Sequence, residues 1–176
     1  TEFDTVDEYR ADIKSKLEEA AVQQADSAFE NAVMNALIEK VDAPIPNCMF
    51  EQRIDALMRS FEQRLRQQGM DLKLYFQYTG MDADSFRDTY RDRAVNEVKL
   101  RLALEKIAEV ENLEPTEEEI NNGLTDVAAA NNMDVETVKR FIPMEDYIED
   151  LRVQKAVDLV KENAVVDNTP AEDKAE

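Results

Sequence analysis

Asp82, Asp84 and Asp88 are spaced as the opening of a calcium loop would be, and they are the first residues that could do chemistry. Such a loop needs oxygen ligands at alternate positions and a glycine to turn the chain between them. Phe86 stands where a ligand belongs and the turn glycine is missing, so Asp82 or Asp84 reads instead as the cap of a helix. Cys48 is the sole cysteine, so an internal disulfide is excluded. As a nucleophile it would need a base, and the chain contains no histidine. Without histidine, the Glu-x-x-His pairs of helical di-metal sites cannot form either. Glu117, Glu118 and Glu119 are the favourable negative charges of a helix's first turn rather than a paired acid and base. Gly69, Gly80 and Gly123 stand alone, so no glycine-rich loop cradles a phosphate. These residues imply no catalytic centre, no metal and no cofactor. What remains is the chemistry of apolar surface.

Composition narrows the classes further. The 176 residues include only three Gly and five Pro against 43% hydrophobic and 35% charged residues, which favours long helices with few turns. The formal net charge of −19 repels phosphate backbones and anionic lipid heads, so nucleic acid and membrane surfaces are unexpected partners. No apolar run reaches the length of about 20 residues that spans a bilayer, and the first residues lack the layout of a signal peptide. The expected compartment is the cytoplasm.

The elements that position the apolar residues follow from helical periodicity. Thr5 and Glu8 have capping-box spacing, and Tyr9, Ile13 and Leu17 begin a helix expected to reach about Val41. Pro44 and Pro46 end that stretch, and Asn47 is placed to cap a second helix. There Phe50, Ile54, Leu57, Met58, Phe61 and Leu65 form the cleanest apolar stripe in the chain, which stops at Gly69. Met70, Leu72, Leu74, Tyr75, Phe76 and Tyr78 crowd a short helix that is apolar nearly all round and ends at Gly80. The spacing of Phe86, Tyr90, Ala94 and Val98 predicts one fourth helix to about Asn112. Thr116 and Glu119 supply a second capping box, a small helix follows Asp134 to Phe141, and a last helix runs to about Asn163. No segment alternates with a period of two, so the class is all-α. One domain over residues 1–166 is expected, followed by an acidic tail over 167–176 that lacks the apolar residues needed to order it.

Three strings carry a resemblance: EFDTVDEYRADIKSKLEE at the start, PIPNCMFEQRIDALMRSFEQRLRQQGM after the first helix, and AVNEVKLRLALEKIAEVENLEPTEEEI in the middle. Together they resemble the C-terminal region of bacterial trigger factor, and the similarity extends over essentially the whole chain up to the acidic tail. The resemblance implies an elongated helical body with two protruding helical arms that forms a cradle for unfolded or nascent polypeptides, without ATP. Family members carry a ribosome-docking domain with a Gly-Phe-Arg loop and a peptidyl-prolyl isomerase domain before this region. Neither has a counterpart in these residues, so the chain is expected to be a piece that begins after them, and contact with the ribosome would run through a domain it lacks.

A holder of unfolded chains needs adaptable apolar surface, which methionine and flat aromatic rings provide. Met34, Met49, Met58, Met70 and Met81 lie in segments that the resemblance assigns to the arms or their connections, although any one of them is more often a core filler. The candidate client contacts are Met34, Phe50, Met58, Phe61, Met70, Leu74, Tyr75, Tyr78, Phe86 and Tyr90. Among these Tyr75, Tyr78, Phe86 and Tyr90 flank a helix connection, where rings can stay partly exposed. A helical adaptor or oligomerisation module with one folded partner is the alternative, and weak self-association is compatible with either.

Overall fold

The computed structural model describes residues 5–165. Among them run eight helices: α1 (Val6–Glu39), α2 (Asn47–Gln67), α3 (Leu72–Thr79), α4 (Ala83–Thr89), α5 (Arg91–Val110), α6 (Glu117–Ala130), α7 (Val135–Phe141) and α8 (Met144–Glu162). The described residues contain no strand, as the all-α class requires. The tail expected over 167–176 lies outside the described residues.

The chain divides into two compact units, one of Thr1–Ala36 with Asp158–Glu176 and the other of Leu37–Val157. In the first, the Thr5 and Glu8 capping box forms as expected: the Glu8 N–H donates to Thr5 Oγ1 at 3.2 Å and the Thr5 N–H to Glu8 Oε2 at 3.2 Å. α1 buries no residue, and Glu30 on it pairs with Lys161 at the end of α8. Val6, Tyr9, Ile13 and Leu17 lie exposed along its first turns.

Two apolar clusters lie within the second unit. Ile54 and Leu57 of α2 meet Ala94 of α5, with Met58 and Tyr90 packed against them. Leu124 and Ala128 of α6 meet Val138 of α7, with Ile120, Val127 and Tyr147 among the residues that cover them. Ion pairs edge the first cluster. Arg53 meets Glu97 at 2.5 Å, and Arg87 reaches both Glu51 (2.8 Å) and Asp55 (2.5 Å). α8 is tied in by Arg101 to Asp150, Arg152 to Glu114 and Lys155 to Glu119. Each of these pairs reaches solvent and contributes little alone, whereas several along one helix fix its register.

Helix ends follow local chemistry. Gly69 adopts φ +75°, the Met70 N–H donates to the Leu65 carbonyl and the Gly69 N–H to that of Arg66, which is a Schellman termination. Asn112 (φ 52°) and Asn132 (φ 50°) end α5 and α6 in the same way, with the N–H groups of Leu113 and Met133 donating to the carbonyls of Ala108 and Ala128. Two expectations are corrected. Asn47 does not cap α2: Pro46, extended at ψ 137°, takes the cap position, no side chain caps the helix, and Asn47 is its first residue. The single helix expected from Asp82 or Asp84 to about Asn112 is two, broken at Tyr90. There the Thr89 hydroxyl donates to the Phe86 carbonyl at 2.6 Å, and the Tyr90 N–H turns to Arg87 instead, so the α-helical ladder loses a rung.

Gly123 on α6 faces the Tyr147 hydroxyl, and a Cβ there would fall 2.2 Å from Tyr147 Oη and 3.5 Å from Cζ. Gly123→Ala is therefore expected to cost about 1–3 kcal/mol by overpacking. In a Tyr147→Phe background, where only ordinary contact remains, the same change should be neutral or stabilise by up to about 1 kcal/mol through helix propensity. Urea unfolding of the four proteins decides this, and equal costs in both backgrounds would remove the steric explanation.

The capping box of α6 gives a pH dependence. Lys155 and the Thr116 backbone and hydroxyl hold the Glu119 carboxyl down at about 2, below its ordinary 4.5. A carboxyl depressed on folding stabilises fully above its unfolded value, and that stabilisation is lost as pH falls through the folded one. The melting-temperature gap between the parent and Glu119→Gln should be full at pH 5 and above and close as the pH falls from about 4.5 to 2. A gap constant across that range, followed by circular dichroism, would contradict the assignment.

Candidate functional site

Four of the candidates, Phe61, Tyr75, Phe86 and Tyr90, come together where α2, α3, α4 and α5 meet. α2 delivers Phe61, α3 delivers Tyr75 and Phe76, and the α4 and α5 junction delivers Phe86 and Tyr90. Phe86 is the centre: its ring lies 5.1 Å from Phe61, 5.7 Å from Tyr75, 5.4 Å from Phe76 and 5.2 Å from Tyr90, centroid to centroid. Phe61 also meets Tyr75 edge-on at 5.1 Å. The geometry is edge-to-face or tilted throughout, which places ring edges on ring faces and suits the aromatic quadrupole.

Two short caps set α3 over this cluster. The Asp71 carboxylate accepts from the Leu74 N–H at 2.7 Å at one end, and Gly80, at φ +69°, closes the other. Asp82 caps α4 by accepting from the Ser85 N–H at 2.7 Å, the helix-cap role expected in place of a metal loop. That hydrogen bond holds the Asp82 carboxyl below its usual range. Among the described residues no group of His, Cys, Asp or Glu is arranged to hold a metal ion.

The candidates divide by exposure. Tyr78 (78% exposed) and Leu74 (38%) face outward from α3, whereas Phe86 (4%) is buried. Phe50, Met58, Phe61, Met70, Tyr75 and Tyr90 are half-buried. Met58 packs on the Ile54 and Leu57 cluster, and its Sδ accepts from Arg87 at 3.6 Å. Met34 is half-buried on α1, in the other unit. A groove of about 520 Å³ between α2, α5 and α8 is lined by Met49, Val98, Leu100, Leu102, Leu104 and Val153. The Arg53 to Glu97 and Arg101 to Glu105 pairs lie at this groove. Burial pulls the Glu97 carboxyl up, but hydrogen bonds from Arg93 and Arg53 outweigh it and hold the group charged.

A family model described as the bacterial trigger factor protein C-terminus matches residues 5–162. The chain belongs to the trigger factor C-terminus family. Trigger factor of Ruminiclostridium cellulolyticum is 40% identical over 167 residues, covering 93% of this chain and 39% of that protein. Trigger factor of Bacillus licheniformis is 40% identical over 163 residues, covering 92% of this chain and 38% of the relative. The chain thus spans less than half the length of these relatives. Among solved structures, one of domains of trigger factor from Thermotoga maritima superposes with a TM-score of 0.55 at 17% identity, over 78% of this chain and 81% of that one. At that identity the likeness concerns the fold.

Besides the exposed apolar residues of α1, sequence reasoning left three exposed apolar residues of the second unit out of the candidates: Phe141 (76%), Val110 (61%) and Met133 (50%). Each sits at or just past a helix end, where no stripe singles it out. Phe76 was also passed over as a site residue, although it touches the central ring.

The exposures separate two roles by stability. Phe86→Ser should cost about 3–5 kcal/mol, the range for emptying a buried aromatic site, whereas Tyr78→Ser should stay within about 0.5 kcal/mol of the parent. Denaturant midpoints measure both, and a stable Phe86→Ser protein would show that the cluster does not hold α3 and α4.

Proposed function

We propose that this chain is an ATP-independent chaperone domain that holds unfolded or nascent polypeptides through apolar surface left uncovered after folding. The observation that carries the reading is that large apolar side chains, with Tyr78 and Phe141 the most open rings among the described residues, lie on the surface of a chain of the trigger factor family. Unfolded clients share no sequence, only exposed apolar groups, so a general holder must offer such groups on adaptable supports.

The energetics suit weak, reversible holding. Covering about 400 Å² of apolar surface at about 25 cal/mol per Å² yields on the order of 10 kcal/mol. Association and ordering of the client consume several kcal/mol of that, which leaves affinities in the micromolar range and release without nucleotide. The charge of −19 around the apolar residues disfavours contact between copies, so any self-association is weak. We assign the action to the cytoplasm, and assign ribosome contact and proline isomerisation to segments of the family other than this one.

The chain alone, without nucleotide, should suppress aggregation of guanidinium-denatured citrate synthase and bind several unrelated unfolded proteins with similar micromolar affinity. Tyr78→Ser should weaken that binding by about five-fold, roughly 1 kcal/mol, at an unchanged melting temperature. Tight binding to one folded partner and none to unfolded chains would favour an adaptor instead.

A further inference from the structure

α3 is held differently from every helix around it. It has eight residues, none of them buried, and a helix that short does not persist in water without packing. Its hydrogen bonds all close within its own neighbourhood: Leu74 to Asp71, Thr79 to the Tyr75 carbonyl, Gly80 to the Phe76 carbonyl. Among the described residues no hydrogen bond or ion pair joins α3 to another helix. Apolar contact alone keeps it in place, chiefly the Tyr75 and Phe76 rings against Phe61 and Phe86.

Both ends of the segment turn on glycine. Gly69 and Gly80 have φ of +75° and +69°, and a Cβ at either would meet nothing within 4 Å, so neither turn is packed into the rest of the unit. The rings beneath are anchored independently of α3. Phe61 lies on α2, whose Ile54 and Leu57 are clamped on Ala94, and α4 is tied to α2 by Arg87 through Glu51 and Asp55. Phe61 and Tyr90 meet Phe86 at 5.1 and 5.2 Å through contacts that involve no residue of α3.

We propose that α3 is a displaceable lid: Tyr75 and Phe76 fill a box of Phe61, Phe86 and Tyr90 that receives an aromatic side chain of an unfolded polypeptide when α3 swings out on Gly69 and Gly80. This rests on the client-holding reading and adds the occupant and the conformational step. The box offers ring faces and edges, and it already accommodates two rings edge-on, so an aromatic side chain matches it better than an aliphatic one. Because α3 competes for the same place, the apparent affinity equals the intrinsic one reduced by the fraction of open lid.

Two measurements on the 176-residue chain test this, with reduced, carboxymethylated α-lactalbumin as the unfolded probe. Hydrogen exchange of residues 72–79 should be at least about ten-fold faster than that of the α2 and α5 cores, and should rise further on adding the probe. Tyr75→Ala with Phe76→Ala should tighten probe binding about three- to ten-fold, since it removes the internal competitor. Equal or weaker binding by the double variant overturns the lid, as does exchange in α3 as slow as in α2, or slowed by the probe. If the parent chain binds no unfolded probe at all, the holding reading fails, and the exchange rate of α3 in the free chain alone then decides whether the helix opens.

Discussion

The contact on which the candidate site depends is Ile54 against Ala94. Both are fully buried, and the small Ala94 side chain is what lets α5 approach α2 closely enough to seat Ile54. A larger residue at Ala94 would push the helices apart and overpack the seat, because interiors of this density have no slack. From that seat the register of the two helices follows, and with it the meeting of Arg53 with Glu97 and of Arg91 with Glu51. Phe61 lies seven residues beyond Ile54 on α2, two turns along the same face, and Phe86 and Tyr90 lie just before α5. The ring cluster is thus an extension of one well-packed contact rather than a second core.

Electrostatics then reinforce what packing has placed. The Arg87 guanidinium, held charged above its usual range by Asp55 and Glu51, lies between two carboxylates of α2 and touches the Met58 sulfur. It also holds the Glu51 carboxyl below its usual range. Such partly exposed pairs contribute little singly. Their use here is directional: they resist sliding of α4 along α2, which apolar contacts alone permit. α3 has no such pairs, and that asymmetry between neighbours is why it can move while they stay.

Much of this was legible in the sequence. The α2 stripe, both capping boxes and the stop at Gly69 follow from spacing and side-chain chemistry, and the structure forms each of them. Asn112 and Asn132 end their helices with the same backbone conformation as Gly69, but asparagine is common enough in helices and loops that its role as a terminator does not stand out. The break at Tyr90 was hidden because the apolar spacing of Phe86, Tyr90, Ala94 and Val98 runs straight through it; a single threonine hydroxyl, invisible to periodicity, takes the carbonyl. Within the site, spacing places Tyr75, Tyr78, Phe86 and Tyr90 beside a helix connection, but it does not tell which ring is covered. Burial depends on how many helices converge on a position, and Phe86 receives rings from four other residues while Tyr78, three positions after Tyr75 on α3, faces water.

That division of rings has a physical logic under the proposed function, in which this surface meets apolar chains. If all the aromatic residues at this end were exposed, α3 and α4 would lose the contacts that order them, and the open patch would invite pairing between copies. If all were covered, nothing would be offered. A buried Phe86 orders the support, Tyr78 lies open, and half-buried Tyr75 and Phe76 lie between these states. Asp71, Asp82 and Asp84 border the same helices as caps and first-turn charges, so the residues that terminate the helices also surround the apolar surface with carboxylates. Two copies approaching through this face must bring those charges together, whereas an unfolded chain with few acidic residues need not. Under the proposed function, local helix capping would thereby also discriminate between self and client, with no residue set aside for it.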